Sequence, residues 1–146
     1  MVPDYKKLMK ESIIKKMREE GLKLTPQRMA VIEVLIQKNL FHPSANLIYH
    51  EARKKVKSLS LSTVYSILNE FSKRGIIKML EFDKMENRYE VNTAVHINLI
   101  CKGCKKIMDY KFAFRIDTND VAKKSAFHVT DSRFECYGYC EECKKK

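Results

Sequence analysis

Apolar residues recur at helical spacing through the first half of the chain and at alternate positions in much of the second. In "DYKKLMKESIIKKMREEG", Leu8, Met9, Ile13 and Met17 repeat between a capping Asp4 and a terminating Gly21. "TPQRMAVIEVLIQKN" opens on Thr25 as cap with Pro26 at the first helical position, and Met29, Ile32, Leu35 and Ile36 share one face. A third helix is predicted over "PSANLIYHEARKKVKSL", capped by Ser44 and burying Ala45, Ile48, Ala52 and Val56. A fourth, "LSTVYSILNEFSKRG", is expected to be capped by Ser62 and to stop at Gly75. Then the period shortens to two. "IIKMLEF", the polar "DKMEN" and "RYEV" read as a β-hairpin. "TAVHINLIC" alternates, with Val95, Ile97, Leu99 and Cys101 on one face and His96, Asn98 and Ile100 on the other. "KKIMDYKFAF" is predicted to pair back onto it, "DTNDVAKKSA" to form a short helix and "FHVTDSRFECYGYC" a further strand.

Helices followed by a hairpin make a winged helix-turn-helix, and the fourth helix has the two faces such a unit needs. Val64, Ile67, Leu68 and Phe71, at i, i+3, i+4 and i+7, form one core stripe. Ser62, Tyr65, Ser66, Asn69 and Lys73 gather on the other side, and Thr63 joins them as a candidate DNA-facing residue. Such a face suits phosphates and base edges; a solvated helix surface would look similar.

Composition sharpens this. Net charge is +11 and the sequence pI is near 9.4. Both favour a polyanionic partner, nucleic acid before anionic membrane, although a Lys-rich solvated surface gives the same figures. With 45% hydrophobic and 32% charged residues, the 146 residues read as folded, in one domain or two small ones. No apolar run reaches the roughly 20 residues of a membrane span. The N-terminal stretch lacks the apolar core of a signal peptide. A cytoplasmic protein with no membrane partner is expected, in a compartment where thiols stay reduced.

Five cysteines there point to metal before cross-links. Cys101 and Cys104 form one C-x-x-C pair and Cys140 and Cys143 another, with 35 residues between the pairs. Four thiolates from two knuckles make a tetrahedral Zn²⁺ site with no open position. The long loop means that the ion staples two separate strands of a small domain, which buries too little apolar surface to hold by itself. Two redox pairs or free thiols are the alternative, but a thioredoxin-type site needs a βαβ setting that is not visible here. Cys136 shares strand parity with Phe134 and is expected as a buried small hydrophobe. Catalytic zinc needs an open position and a general base. Neither H-x-E nor H-E-x-x-H occurs, so no enzyme is expected.

"GLKLTPQR", "HPSANLIY", "LSLSTVYSIL", "ICKGCKKIMDY" and "YGYCEEC" run in order from Gly21 to Cys143, nearly the whole chain. In this the chain resembles the ferric uptake regulator (Fur) superfamily, which includes iron-, zinc-, manganese-, nickel- and peroxide-responsive repressors. The resemblance implies an α+β protein: an N-terminal winged helix-turn-helix DNA-binding domain over 1–91, then a small α/β dimerisation domain with a structural zinc over 92–146. It implies a homodimeric, metal-dependent repressor of a palindromic double-stranded DNA operator. It also implies a second, regulatory ion at the hinge, held by His42, Glu90, His96 and Asp109. The usual fifth ligand is the second histidine of a His-x-His, where this chain has Asn98. An amide binds Fe²⁺, Mn²⁺ or Zn²⁺ more weakly than imidazole does. His50 and His128 match no family position and are expected to be structural or exposed. Ile97 and Ser132 stand where some relatives carry an acid and a histidine of a third site, expected to be absent here.

On the DNA side, Lys23 matches a lysine that family members send into the minor groove, and Arg28 sits where a phosphate contact is expected. Ser66 replaces the usual Arg or Asn, which implies a different operator sequence. Peroxide-responsive members typically carry Asp at the position of Glu90 and iron-responsive members Glu. The resemblance therefore leans towards metal sensing, with Fe²⁺ as the expected ion and Mn²⁺ or Zn²⁺ as alternatives. A peroxide- or zinc/manganese-responsive regulator of the same family is the nearest other reading. A winged-helix/zinc-ribbon transcription factor without a sensing role is the next.

Overall fold

Each helix of the first half begins where a side-chain oxygen takes up a backbone N–H that the first turn leaves over. Asp4 Oδ1 accepts from the Lys7 N–H (3.2 Å) at the start of α1 (Tyr5–Glu19). Thr25 Oγ1 accepts from the Arg28 N–H (3.2 Å) at the start of α2 (Pro26–Gln37). Ser44 Oγ accepts from the Leu47 N–H (3.3 Å) at the start of α3 (Ala45–Ala52). The cap of α4 (Leu61–Lys73) is Ser60 rather than Ser62, with Ser60 Oγ accepting from the Thr63 N–H at 3.1 Å. Starting there brings Leu61 into the first turn. Gly21 (φ +72) and Gly75 (φ +69) follow α1 and α4 in the left-handed conformation that a side chain disfavours.

The structure is a computed structural model that describes residues 4–110 and 117–145. They divide into two compact units, Met1–Thr93 and Ala94–Lys146. In the first unit, Ile13 and Met17 of α1, Ile32 and Leu35 of α2, Ile48 of α3 and the whole predicted stripe of α4 enter one core. The third helix is shorter than its periodicity predicts. It ends at Ala52, and "RKKVK" continues as turns with Val56 only half-buried. A helical continuation would stack Arg53 against Lys57 at i, i+4, a repulsive pair.

The wing is β1 (Lys78–Leu80) paired antiparallel with β2 (Arg88–Glu90), Met79 opposite the buried Tyr89. β2 is also tied to the segment before α3. Ser44 and Arg88 form an isolated antiparallel bridge, and the Tyr89 N–H donates to the Pro43 carbonyl at 3.0 Å. One short strand thus joins the wing to the loop that carries His42.

The second unit is a three-stranded sheet in the order β4-β3-β5. β3 (Ile97–Cys101) runs antiparallel to β4 (Ile107–Tyr110), which sets Asn98 opposite Asp109. It runs parallel to β5 (Phe134–Gly138), which sets Leu99 opposite Cys136. A parallel neighbour needs a crossover, and α5 (Thr118–Ser125) lies on that connection. The "KFAF" end of the predicted return strand lies outside the described residues. The last strand occupies only residues 134–138 of its predicted span. Cys136 is exposed, not buried as expected. It lies on an edge strand, and α5 buries none of its side chains, so the face shared with Leu99 is left uncovered by that helix. No helix among the described residues is long and apolar enough to cross a membrane.

Candidate metal centres and the DNA-facing helix

The two C-x-x-C pairs meet at one end of the small sheet. Cys101 is the last residue of β3, and Cys104 lies in the turn that follows. Cys140 comes just after β5, and Cys143 opens a single 3-10 turn, Cys143–Lys145. All four sulfurs lie within 4.8 Å of one another, with Cys104 and Cys140 Sγ 3.9 Å apart. Zn–S bonds of about 2.3 Å at tetrahedral angles place sulfurs about 3.8 Å apart. The donor set therefore fits Zn²⁺ and leaves no further coordination position.

The backbone is shaped for this. Lys105 adopts a left-handed conformation (φ 65) that turns the first knuckle, and its N–H donates to the Cys101 carbonyl at 3.0 Å. The Cys140 N–H donates to Cys101 Sγ at 3.4 Å. Together with the N–H groups of Cys104 and Gly103, it brings the Cys101 thiol down to about 6. The neighbouring sulfurs, Cys101 first and Cys140 next, push Cys143 up to about 12. Thiols this close cannot all ionise unaided; a bound dication displaces their protons together. Gly103 is the residue here that cannot be larger. A methyl at its Cα would lie 2.8 Å from Cys143 Sγ and 3.0 Å from Cys143 Cβ. Gly103→Ala should weaken zinc retention by roughly 10–100-fold, the usual cost of disturbing a ligand's support. Zinc transfer to a chromogenic chelator measures this, and transfer at the parent's rate would show that the knuckle adjusts freely.

Each unit also carries a mixed His/carboxylate set. In the first, His42 follows the 3-10 turn Asn39–Phe41 and sits at φ 46, ψ 72. That backbone is uncommon for a residue with a side chain, and such outliers mark positions that the surroundings over-determine. Arg88 supplies the constraint, its Nη1 donating to the carbonyls of His42 (3.2 Å) and Phe41 (3.4 Å). His42 Nε2 then lies 3.3 Å from Glu90 Oε2, both side chains at most 2% exposed.

In the second unit, strand alternation sets His96 and Asn98 side by side, and the β3/β4 register brings Asp109 opposite Asn98. His96 Nδ1 is 2.7 Å from the Ala94 carbonyl oxygen, which can only accept, so Nδ1 carries the proton in that bond. In the neutral ring Nε2 is then a lone pair. It faces Asn98 Oδ1 at 3.2 Å and Asp109 Oδ1 at 3.4 Å. Three acceptor atoms brought so close favour a cation among them, whether a proton or a metal ion.

On α4, Ser62, Tyr65, Ser66, Asn69 and Lys73 are all exposed on the face opposite the core stripe. Thr63 is half-buried, its hydroxyl 2.8 Å from Ser60 Oγ at the cap. Lys23 is exposed in the loop before α2, and its carbonyl accepts from Arg28 Nη1 at 2.8 Å. Arg28 Nη2 is also 3.5 Å from Glu70 Oε1, so this guanidinium links the loop to the outer side of α4. His50 and His128 are both exposed.

Residues 19–137 match the model of the ferric uptake regulator family. The chain belongs to that family. It is 35% identical over 137 residues to the peroxide-responsive repressor PerR of Staphylococcus epidermidis, covering 93% of this chain and 91% of that protein. It is 34% identical over 131 residues to the peroxide operon regulator of Bacillus subtilis, covering 89% and 90%. Among solved structures it resembles the ferric uptake regulator of Helicobacter pylori, a protein with three functional metal-binding sites. The TM-score is 0.70 at 30% identity, over 97% of this chain and 95% of that one. Fur-family proteins are metal-dependent transcriptional regulators, not enzymes. They join an N-terminal winged-helix DNA-binding domain to a C-terminal dimerisation domain.

In this Fur-family chain some structural supports escaped the sequence reading. Arg88 was read only as part of a strand, and its hold on His42 depends on how β2 docks, which no local pattern announces. Arg53, Lys54 and Lys57 are exposed in the turn that leads to α4 and form a basic cluster there. The signal was the "RKKVK" run itself, absorbed into an overlong third helix.

Proposed function

We propose that the chain is a metal-dependent repressor that binds a palindromic double-stranded operator as a homodimer in the cytoplasm. Ser62, Thr63, Tyr65, Ser66, Asn69 and Lys73 face the DNA, with Lys23 and Arg28 alongside. Cys101, Cys104, Cys140 and Cys143 hold a permanent Zn²⁺ that keeps the dimerisation unit folded. A second, exchangeable divalent ion takes His42 and Glu90 from the first unit and His96, Asn98 and Asp109 from the second. Fe²⁺ is the first candidate, with Mn²⁺ or Zn²⁺ as alternatives. Such an ion ties the units together and selects one orientation of the DNA-binding helices, to the extent that it binds that orientation better. The face carrying Leu99 and the exposed Cys136 is offered to a second copy.

The observation that carries this reading is the pairing of buried His42 with Glu90. The second unit holds a set of its own, in which Asn98 Oδ1 and Asp109 Oδ1 both face His96 Nε2. Glu at position 90 favours metal sensing over oxidation. The Staphylococcus and Bacillus relatives, named for peroxide, favour the second reading, in which bound Fe²⁺ and peroxide modify a ligand histidine. Operator binding by the zinc-loaded protein, titrated anaerobically with Fe²⁺, Mn²⁺, Zn²⁺ and Ni²⁺ and repeated after peroxide, separates the two. Metal should restore binding, and peroxide should leave it in place. Loss of binding by the Fe²⁺ form, with an added oxygen atom on His42 or His96 by mass spectrometry, would establish the peroxide reading. Indifference to every ion would remove both.

A further inference from the structure

We infer that Asn98 decides which ion the regulatory site prefers, by placing an amide oxygen in the shell and so biasing it towards Mn²⁺ and away from Zn²⁺. The inference rests on the proposed regulatory site and goes one step past it. The strand geometry leaves little choice about what Asn98 faces. It is buried, next but one to His96 on the same side of β3, and directly across from Asp109. Its Oδ1 lies 3.2 Å from the ring nitrogen that the Ala94 carbonyl leaves as a lone pair, and that same nitrogen faces Asp109 Oδ1. An ion seated there meets one nitrogen and two oxygens from the second unit. Glu90 and His42 would bring the proposed shell to three oxygens and two nitrogens.

Ligand type then decides the ranking. Imidazole suits Zn²⁺, Cu²⁺, Fe²⁺ and Ni²⁺, whereas carboxylate and carbonyl oxygens suit Mn²⁺. The general order of affinity still runs upward from Mn²⁺ to Zn²⁺, so an oxygen at this position narrows the gap. Asn98 is also a neutral ligand. It adds no negative charge beside Glu90 and Asp109, and so keeps the ion exchangeable. The test must distinguish this from one other role of the same side chain. With its amide turned round, Nδ2–H would donate to His96 Nε2 and occupy the lone pair that the ion needs, making Asn98 a positioning residue that no metal touches.

The test uses the full-length protein with its cysteine-bound zinc in place. Mn²⁺ affinity is read from the resonance signal of the free aquo ion, and Zn²⁺ affinity from competition with a fluorescent chelator. Asn98→His should raise the ratio of Zn²⁺ to Mn²⁺ affinity by about tenfold or more, the scale of a single ligand's contribution. Nitrogen couplings to bound Mn²⁺, seen by pulsed resonance, should rise from two imidazoles to three. Asn98→Asp, which keeps an oxygen and cannot donate, should hold Mn²⁺ at least as tightly as the parent. The inference is overturned by an unchanged ratio in Asn98→His, or by loss of Mn²⁺ binding in Asn98→Asp. His42→Ala separates this from the larger reading. If it keeps full Mn²⁺ affinity, the two-unit site is wrong whatever Asn98 does; if it loses Mn²⁺ while Asn98→His leaves the ratio alone, only the selectivity argument fails.

Discussion

Cys101→Ser should leave the second unit without zinc and without a fold, while the first unit keeps its helices. Among the described residues of the second unit only Ile100, Cys101, Ile107 and Cys140 are buried apolar side chains, and two of these are zinc ligands. The first unit, by contrast, owns a continuous core that runs from Ile13 to Val91. A three-stranded sheet with so little interior depends on the ion for its free energy of folding. A hydroxyl at position 101 is a poor substitute for the sulfur that receives the Cys140 N–H. Zinc measured after removal of exchangeable metal should fall from one ion per chain to none. Circular dichroism should keep the helical signal, and limited proteolysis should cut freely beyond Thr93 and spare what precedes it. Specific operator binding should vanish with the dimer. A variant that retains zinc and elutes as a dimer would mean that three thiolates suffice and that the sheet is held by something else.

The features that were legible in the sequence are those that a few neighbouring residues decide. Asp4, Thr25 with Pro26, and Ser44 are caps because an oxygen three residues before an N–H is a local arrangement. The α4 stripe is legible because period alone sets it. Ser60 and Ser62 show the limit of that logic. They flank Leu61, both carry a hydroxyl, and helical period does not choose between them; it is Ser60 that accepts from the Thr63 N–H. The zinc cysteines were readable because C-x-x-C geometry is fixed by one turn of backbone. Pairing of β3 with β5 in parallel was not, since more than thirty residues separate them and the register depends on the whole sheet.

The same divide runs through the regulatory donors. His96, Asn98 and Asp109 follow from alternation along one strand and the register of one hairpin, so their convergence can be anticipated. His42 is different. Its left-handed backbone, its tether to Arg88 and its approach to Glu90 all depend on β2 docking beside Pro43. Resemblance to a family pointed to His42; pattern did not. Cys136 failed for a related reason. Strand parity predicts which side a residue faces, but not whether anything covers that side.

His96→Ala should yield a folded, zinc-containing dimer that no longer responds to the second ion. In saturating Mn²⁺ it should bind operator about 5–150-fold more weakly than the parent, the usual range of coupling between two sites. The variant lacks the nitrogen that Ala94 orients and that Asn98 and Asp109 face, and none of its zinc ligands is touched. Without the ion, parent and variant should bind DNA alike, because the orientation that fits DNA is then populated only by its own stability. Linkage supplies a second, independent reading of the same quantity. Operator DNA must tighten Mn²⁺ binding to the parent by the factor by which Mn²⁺ tightens DNA binding, and the variant should show neither effect. Fluorescence anisotropy with labelled operator and metal titrations with and without DNA give the two factors. If they disagree in the parent, the ion acts other than by selecting an orientation. If His96→Ala responds to Mn²⁺ as the parent does, the ion is not bound where these residues meet. His128→Ala, at an exposed histidine matched to no donor set, should leave both curves in place and so control for loss of an imidazole as such.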